Sequence, residues 1–358
     1  MTTAPCRQHN GPCLAVDSTV AAVRLKHPAR RIVCLSASGL DVVRELGLEP
    51  VGSLRGGVGA HPEFYGPRLH QWEDVGPWLR PNFKKIRRLQ PDLILGRQFP
   101  HRYYRRWLKA IAPVYLIGGC GYEEALLRLL DIACLTQRLA QAEAAITRLE
   151  HQLKIYRRFL QHEPRKTVLV MGGSGLNHLV NRFPIETVSG TFGSVLQQFT
   201  YYPWAKPDPA RGEPGLTYLS VQQIARVDPD VILVQSFAPG RQPLSQQFRH
   251  NRAWNQLRAV QTGQVYEIDP FWHWGNGTQV IRLMLAKVLP LIYPLCVAPA
   301  FLRPGLRQRD LCEHMELDYR EVARTAQALG LSTHAYLQQQ TGWHLKGERY
   351  YPPEPICP

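Results

Sequence analysis

The sequence predicts an α/β protein of two similar lobes with mainly parallel sheets, joined by one long helix and followed by a short helical extension. Strand patterns alternate with helix patterns along most of the chain, which favours parallel sheets covered by helices. A helix end, a Pro-Asp break and an apolar strand recur in residues 86–95 and 224–233. An apolar strand that runs into small residues recurs in 31–39 and 167–175. These repeats at nearly one offset indicate two Rossmann-like lobes.

A long apolar stripe separates the two halves of the chain. Between residues 137 and 160, apolar side chains recur at alternating steps of three and four, and neither Gly nor Pro interrupts them. At about 1.5 Å per residue, such a helix spans roughly 35 Å. Pro164 marks its end because proline disfavours helix at the preceding residue. We therefore expect a linker helix that acts as a strut between the lobes.

The remaining elements follow from local patterns of the same kind. In the first lobe we expect strands at 31–35, 51–53, 92–95 and 113–117 and helices at 40–46, 82–89, 101–110 and 122–134. In the second lobe we expect strands at 167–171, 231–235 and 264–268 and helices at 191–199, 220–227, 245–258 and 277–290. The extension is expected to hold two short helices, at 318–329 and 332–340.

These patterns divide the chain into five segments. Residues 1–29 show no periodicity strong enough for a core element and are expected to form an irregular lead. The other segments are the first lobe at 30–135, the linker helix at 136–162, the second lobe at 163–293 and the extension at 294–358.

Composition narrows the classes of function. The 358 residues carry a net charge of +15, which favours anionic partners such as a charged small molecule, acidic lipid or nucleic acid. No apolar run is long enough for a transmembrane helix. The eight cysteines include no Cys-x-x-Cys pair, so a zinc ribbon is not supported. Neither a nucleophile elbow nor a phosphate-binding loop occurs, so no enzyme and no cofactor are expected.

Several short motifs, in their order and spacing, resemble the class III periplasmic substrate-binding proteins of ABC importers, the family that carries ferric siderophores, haem and cobalamin. Each motif alone is weak, but together they extend from about residue 30 to residue 292. The motifs lie at residues 31–36, 46–52, 75–78, 81–83, 91–95, 219–224, 229–234, 254–260 and 263–269.

The resemblance implies a chelate held between the lobes, with contacts from loops at the ends of strands. Arginine can hold carboxylate or catecholate oxygens, and aromatic rings can cover a flat ligand face. The ligand-binding residues predicted in this way are Ser36, Ser38, Asp41, Trp78, Arg97, Gln98, Ser174, Phe237, Arg241, Phe271, Trp272, His273 and Trp274. Packing of the aromatics against the sheet is the alternative interpretation. Because His273 has no companion ligand at metal-binding spacing, we expect recognition of a preformed chelate and no protein-made metal site.

The sequence departs from the resembled family at two positions. Family members generally present a glutamate from each lobe to arginines of the permease, and the matching positions here are Lys84 and Gln222. A lysine that faces an arginine is repulsive, so docking on an ordinary permease is in question. Neither a signal peptide nor a lipid-attachment motif is visible near Met1. The resemblance implies the periplasm, and the cytoplasm is the alternative.

The leading hypothesis is a monomeric, non-catalytic binding protein for an anionic metal chelate, with a ferric siderophore as the first candidate, that delivers its ligand to an ABC importer. The alternative is a cytoplasmic chelate- or corrinoid-binding sensor or chaperone on the same fold. Nucleic-acid binding is not expected, although the two predicted helices of the extension leave a helix-turn-helix as a rival interpretation.

Overall fold

The computed structural model describes residues 13–54, 72–172, 182–205, 215–235, 244–248, 250–269, 275–294, 307–315, 317–341 and 343–351. The chain divides into two compact units. One comprises Met1–Leu149 with Pro164–Met284 and contains both α/β lobes; the other comprises Glu150–Glu163 with Leu285–Pro358 and contains the C-terminal extension.

An antiparallel hairpin precedes the first lobe, with strands β1 (Cys13–Val16) and β2 (Ala22–Leu25). Its turn is anchored by Asp17, whose carboxylate accepts hydrogen bonds from the Arg105 guanidinium at 2.6 Å and from the Leu116 backbone N–H at 3.2 Å. This finding differs from the irregular lead expected from the sequence. Strands of four residues with alternating burial are too short to produce a clear periodicity.

The first lobe is a five-stranded sheet in the order β5-β4-β3-β6-β7, and every neighbouring pair is parallel. Its strands are β3 (Ile32–Cys34), β4 (Gly52–Ser53), β5 (Glu73–Asp74), β6 (Leu93–Arg97) and β7 (Val114–Ile117). Its helices are α1 (Ala37–Glu45), α2 (Phe83–Arg88), α3 (Gln98–His101), α4 (Arg105–Lys109) and α5 (Tyr122–Thr136), with a 3₁₀ turn at Arg102–Tyr104. The central strands β3 and β6 are buried and apolar up to Arg97, the last residue of β6, as is typical of a parallel sheet covered by helices.

The linker helix α6 (Leu139–Leu160) has 22 residues and lies within the stripe predicted at 137–160, which it enters two residues late. Its buried positions include Ala142, Leu149 and Leu153, which recur at steps of seven and four and so share one face. A helix of this kind owes its stability chiefly to the packing of that face.

The second lobe has a mainly parallel sheet in the order β10-β9-β8-β11-β12. Its strands are β8 (Val168–Gly172), β9 (Phe183–Glu186), β10 (Leu216–Leu219), β11 (Val231–Gln235) and β12 (Val265–Ile268). Its helices are α7 (Thr191–Leu196), α8 (Val221–Ala225), α9 (Leu244–Gln247), α10 (Arg252–Asn255), α11 (Arg258–Gln261) and α12 (Thr278–Ile292). The antiparallel strands β9 and β10 were not predicted; in β9, Pro184 interrupts the strand pattern. The predicted helix at 245–258 is two short helices.

The extension contains α13 (Gln308–His314), α14 (Tyr319–Ala328), α15 (Thr333–Thr341) and a hairpin of β13 (His344–Lys346) and β14 (Arg349–Tyr351). The two helices predicted from the sequence are confirmed, whereas the hairpin of three-residue strands was not predicted. The extension has an apolar core of its own, against which Ile155 packs. The core comprises Leu311, Cys312, Met315, Val322, Leu337 and Tyr350.

Candidate functional site

Strand β6 ends at Arg97, at the carboxyl edge of the first lobe's sheet, where ligands of parallel α/β proteins usually bind. The backbone N–H of Arg97 donates to Nδ1 of His101 at 2.9 Å. Because Nδ1 accepts, the Nε2–H of the same ring donates to the backbone carbonyl of Trp78, 3.0 Å away. The His101 imidazole therefore ties the loop that carries Trp78 to the end of the strand.

The ring of His101 is fully buried. Burial, and secondly the positive charge of Arg97, lower the pKa of His101 to about 4 from an ordinary value of 6.5. The imidazole is consequently neutral at physiological pH, as the two hydrogen bonds require. It cannot serve as a charged contact for a ligand, and its role here is to hold the surrounding loops.

Three exposed aromatic rings lie in sequence along this edge. The ring centroids of Trp78 and Phe99 are 6.0 Å apart in a T-shaped pair, and those of Phe99 and Tyr103 are 6.2 Å apart at an interplanar angle of 89°. Arg102 covers the Tyr103 ring, with its guanidinium carbon 4.7 Å from the centroid and a 2.7 Å hydrogen bond to the phenol oxygen. We call Trp78, Phe99, Arg102 and Tyr103 the aromatic cluster. Exposure of 52% for Phe99 and 57% for Tyr103 is unusual for large rings on a folded surface.

The predicted residues Arg97 and Gln98 lie beside this cluster and are partly exposed. The guanidinium of Arg97 takes part in none of the ion pairs found among the described residues. Gln98 is close to the turn of the N-terminal hairpin. A β-carbon added at Gly118 would lie 2.6 Å from both the Gln98 Oε1 and the Ser18 Oγ. Gly118 thus permits a close approach of three chain segments at this edge.

Ser36, Ser38 and Asp41 were predicted as ligand contacts, and the structure places all three among buried residues. Ser36 caps α1 by accepting the Gly39 backbone N–H at 3.1 Å. Ser38 accepts the Asn276 backbone N–H at 2.9 Å. The side-chain oxygens of these two serines are therefore already engaged within the protein.

Asp41 joins α1 of the first lobe to the amino terminus of α12 in the second. Its carboxylate accepts the backbone N–H groups of Gln279 at 3.3 Å and Val280 at 2.8 Å. Burial, and secondly the charge of Glu45, raise the pKa of Asp41 to about 7, while those N–H groups and Arg282 act in the opposite direction. The favourable electrostatics of the helix terminus thus offset part of the cost of burial.

Other groups complete the contact between the lobes. Glu45 pairs with Arg148 of α6 at 2.8 Å and with Arg282 of α12 at 3.6 Å. Asn276 donates from Nδ2 to the Gly121 carbonyl at 3.0 Å and accepts from Thr191 at 3.0 Å. These bonds form a buried polar junction, which holds one lobe against the other.

The contacts predicted on the second lobe lie outside the described residues. They are Ser174, Phe237, Arg241, Phe271, Trp272, His273 and Trp274. The strands that precede them are described: Gly172 pairs with Gln235, and Gln235 with Ile268, in parallel register. β8, β11 and β12 therefore end at one edge of the sheet, as the strand-end argument requires.

The two positions matched to permease-docking glutamates occupy equivalent places. Lys84 is the second residue of α2 after the Asn82 cap, and Gln222 is the second residue of α8 after the Ser220 cap. Both side chains are exposed.

Among the described residues, no group of three or more His, Cys, Asp or Glu side chains could hold a metal ion. Within the same part of the chain, no helix is long and apolar enough to cross a membrane.

Comparison with known proteins decides the family. Residues 32–271, more than half of the chain, match the model of the periplasmic binding protein family. The chain belongs to this family. The Fe(3+)-citrate-binding protein YfmC of Bacillus subtilis is 26% identical over 274 residues, which cover 74% of this chain and 81% of that protein. A probable siderophore-binding lipoprotein, YfiY, from the same bacterium is 23% identical and matches 72% of this chain and 81% of its own length.

Solved structures share the fold of this periplasmic binding protein. The petrobactin-binding protein YclQ from Bacillus subtilis has a TM-score of 0.64 at 19% identity, covering 79% of this chain and 99% of that one. FeuA from Bacillus subtilis, in complex with ferri-bacillibactin, has a TM-score of 0.62 at 18% identity, covering 78% and 98%. The fold expected from the sequence, two α/β lobes with mainly parallel sheets, is confirmed.

Trp78 and Arg97 were predicted as ligand contacts from the sequence, whereas Phe99, Tyr103 and the tie through His101 were not. A signal was present, because aromatic residues alternate with arginines between residues 97 and 107. Apart from the contacts at Arg97 and Gln98, that run was predicted only to form the helix at 101–110.

Proposed function

We propose that this protein binds an anionic ferric chelate, with a siderophore as the first candidate, at the aromatic cluster and Arg97, and delivers it to an ABC importer. The observation that supports this most is an exposed line of aromatic rings beside two arginines at the carboxyl edge of the first lobe's sheet. Aromatic faces suit the flat rings of a chelator, while guanidinium groups suit its peripheral carboxylate or phenolate oxygens.

The relatives support the same class of ligand. Their names refer to ferric citrate and to siderophores, and both kinds of chelate present negatively charged oxygen atoms. This favours the importer hypothesis over a cytoplasmic sensor, and an extracytoplasmic location accords with relatives described as lipoproteins. Because the family consists of binding proteins, we propose that no catalytic step is involved. Iron is cargo here, and the chelator supplies its ligands.

We further propose a division of labour among the predicted residues. Trp78, Arg97 and Gln98 would contact the chelate directly, together with the strand-end residues predicted on the second lobe: Ser174, Phe237, Arg241, Phe271, Trp272, His273 and Trp274. Ser36, Ser38 and Asp41 would act by holding the lobes, since their side-chain oxygens are engaged in the buried polar junction and its helix cap.

The experiment that tests the function is a tryptophan-fluorescence titration of the purified protein with a ferric catecholate, a ferric hydroxamate, ferric citrate, haem and cobalamin. We expect saturable quenching by one anionic ferric chelate at submicromolar concentration, roughly 8 kcal/mol or more of binding free energy. The iron-free form of the same chelator is the matched control. Preference for cobalamin, or no saturation with any of the five, would contradict the proposal.

A further inference from the structure

Two cation-rich segments of the sequence, residues 84–88 and 97–109, lie close together in the first lobe. The helices α2 and α4 are neighbours, since the rings of Phe83 and Tyr104 form a T-shaped pair at 6.0 Å and Tyr104 in turn lies 6.4 Å from Trp107. Their outward side chains are exposed, and Trp107 has 58% of its surface accessible. We call Lys84, Arg87, Arg106, Trp107 and Lys109 the basic face.

The cations of the basic face are not neutralised within the described part of the molecule. On α2, Lys85 and Arg88 pair with Glu73 at 3.4 and 3.0 Å, so the Glu73 carboxylate is already engaged. The described ion pairs include none with the four cations of the basic face. Four exposed charges of one sign on two neighbouring segments create a positive field that favours an anionic surface.

We propose that the basic face docks the protein on a membrane surface that contains acidic lipids. Tryptophan and tyrosine rings prefer the headgroup level of a bilayer, and clustered Lys and Arg side chains bind anionic headgroups. Among the described residues, these four long side chains make no hydrogen bonds that would preorganise them, which suits mobile headgroups better than the fixed acceptors of a protein partner. This inference goes beyond the proposed function and involves no chelate, so either can fail without the other.

The test is co-sedimentation of the full chain with lipid vesicles. One set is neutral phosphatidylcholine, and the other contains phosphatidylglycerol at roughly a third of the lipid, an anionic fraction high enough to give a negative surface potential. Binding to the anionic set is expected to fall steeply as salt is raised, since exposed charges are screened over about 10 Å at 0.1 M salt. The same protein should bind the neutral set far more weakly.

Two matched variants locate the surface. Replacing Lys84, Arg87, Arg106 and Lys109 by glutamine should lower the partition coefficient at least 100-fold, because each cation contributes roughly a factor of five. The control replaces four exposed cations elsewhere by glutamine and so has the same net charge. Its substitutions are Lys26→Gln, Arg30→Gln, Arg226→Gln and Arg252→Gln. The control should retain binding within a few-fold of wild type.

The outcomes separate clearly. Equal loss of binding in both variants would show that only net charge matters and would overturn the assignment to this face. Equal binding to neutral and anionic vesicles, or no binding to either, would overturn the proposal as a whole; an acidic protein partner would then be the better candidate. If the protein binds anionic vesicles as expected, Trp107→Ala should also reduce the blue shift in tryptophan emission that accompanies binding.

Discussion

Replacing His101 by leucine tests how the aromatic cluster is held in place. The imidazole accepts from the Arg97 backbone N–H and donates to the Trp78 carbonyl, and both bonds are buried or partly buried. Leucine fills a similar volume but offers neither nitrogen. Each of the two backbone groups left without its partner costs about 1–3 kcal/mol, so the free energy of unfolding at pH 7.5 should fall by about 2–6 kcal/mol.

The same substitution should change how stability depends on pH. The folded protein keeps His101 neutral down to about pH 4, whereas the unfolded chain takes up its proton near pH 6.5. The stability that depends on a neutral His101 is therefore complete above pH 6.5 and is lost as pH falls through 4; the loss is about 3 kcal/mol at most. The leucine variant lacks this titration, so its difference from wild type should shrink in acid.

Urea unfolding at several pH values measures both effects, and far-ultraviolet circular dichroism reports it independently of the tryptophans. His27→Leu is the control, because His27 is exposed and its replacement should change stability by no more than about 0.5 kcal/mol. A His101→Leu variant as stable as wild type at pH 7.5, with an unchanged difference at pH 5, would refute the reasoning.

Three further predictions concern the rest of the fold. Gly277→Ala should lower the free energy of unfolding by about 1–3 kcal/mol, since its β-carbon would lie 2.2 Å from the Asp41 carboxyl. The same substitution should cost less in a protein that already carries Asp41→Ala, because the shorter side chain leaves room; urea unfolding of the single and double variants measures the difference. Burial raises the pKa of Glu186 to about 8 from an ordinary 4.5, so the folded protein loses stability as pH rises between these two values. Glu186→Gln removes this titration and should therefore raise the free energy of unfolding at pH 9, by up to about 5 kcal/mol, but not at pH 4. Asp17→Ala should cost about 3–5 kcal/mol because it leaves the mostly buried Arg105 without its ion-pair partner; a loss nearly as large for the neutral isostere Asp17→Asn in thermal unfolding would support the charge argument, and a much smaller one would contradict it.

Much of the fold could be predicted because its main elements have strong local patterns. The buried central strands begin as continuous apolar runs, at residues 93–95 and 231–234, and the linker helix has a stripe of six turns. The two hairpins, Cys13–Leu25 and His344–Tyr351, escaped prediction since strands of three or four residues hold too few positions to show alternation. Their pairing depends on tertiary contacts.

The candidate site was only partly visible in the sequence for a similar reason. The family resemblance placed Trp78 and Arg97 on loops at strand ends, whereas Tyr103 lay in a segment predicted as a helix, where an aromatic ring normally packs inward. Ser38 and Asp41 lie one turn apart on α1, and that spacing alone cannot show that the turn faces the start of α12. Such an approach of distant segments has no local signal.

Binding of the chelate by the aromatic cluster is tested most directly by one paired measurement. Tyr103 and Tyr218 are exposed to 57% and 56%, but Tyr103 belongs to the cluster and Tyr218 lies on β10 of the other lobe. The affinity of Tyr103→Ala and of Tyr218→Ala for the tightest-binding ferric chelate should be compared with wild type by fluorescence titration. We predict a loss of roughly tenfold or more for Tyr103→Ala and none for Tyr218→Ala. Equal affinities for the two variants would contradict the account.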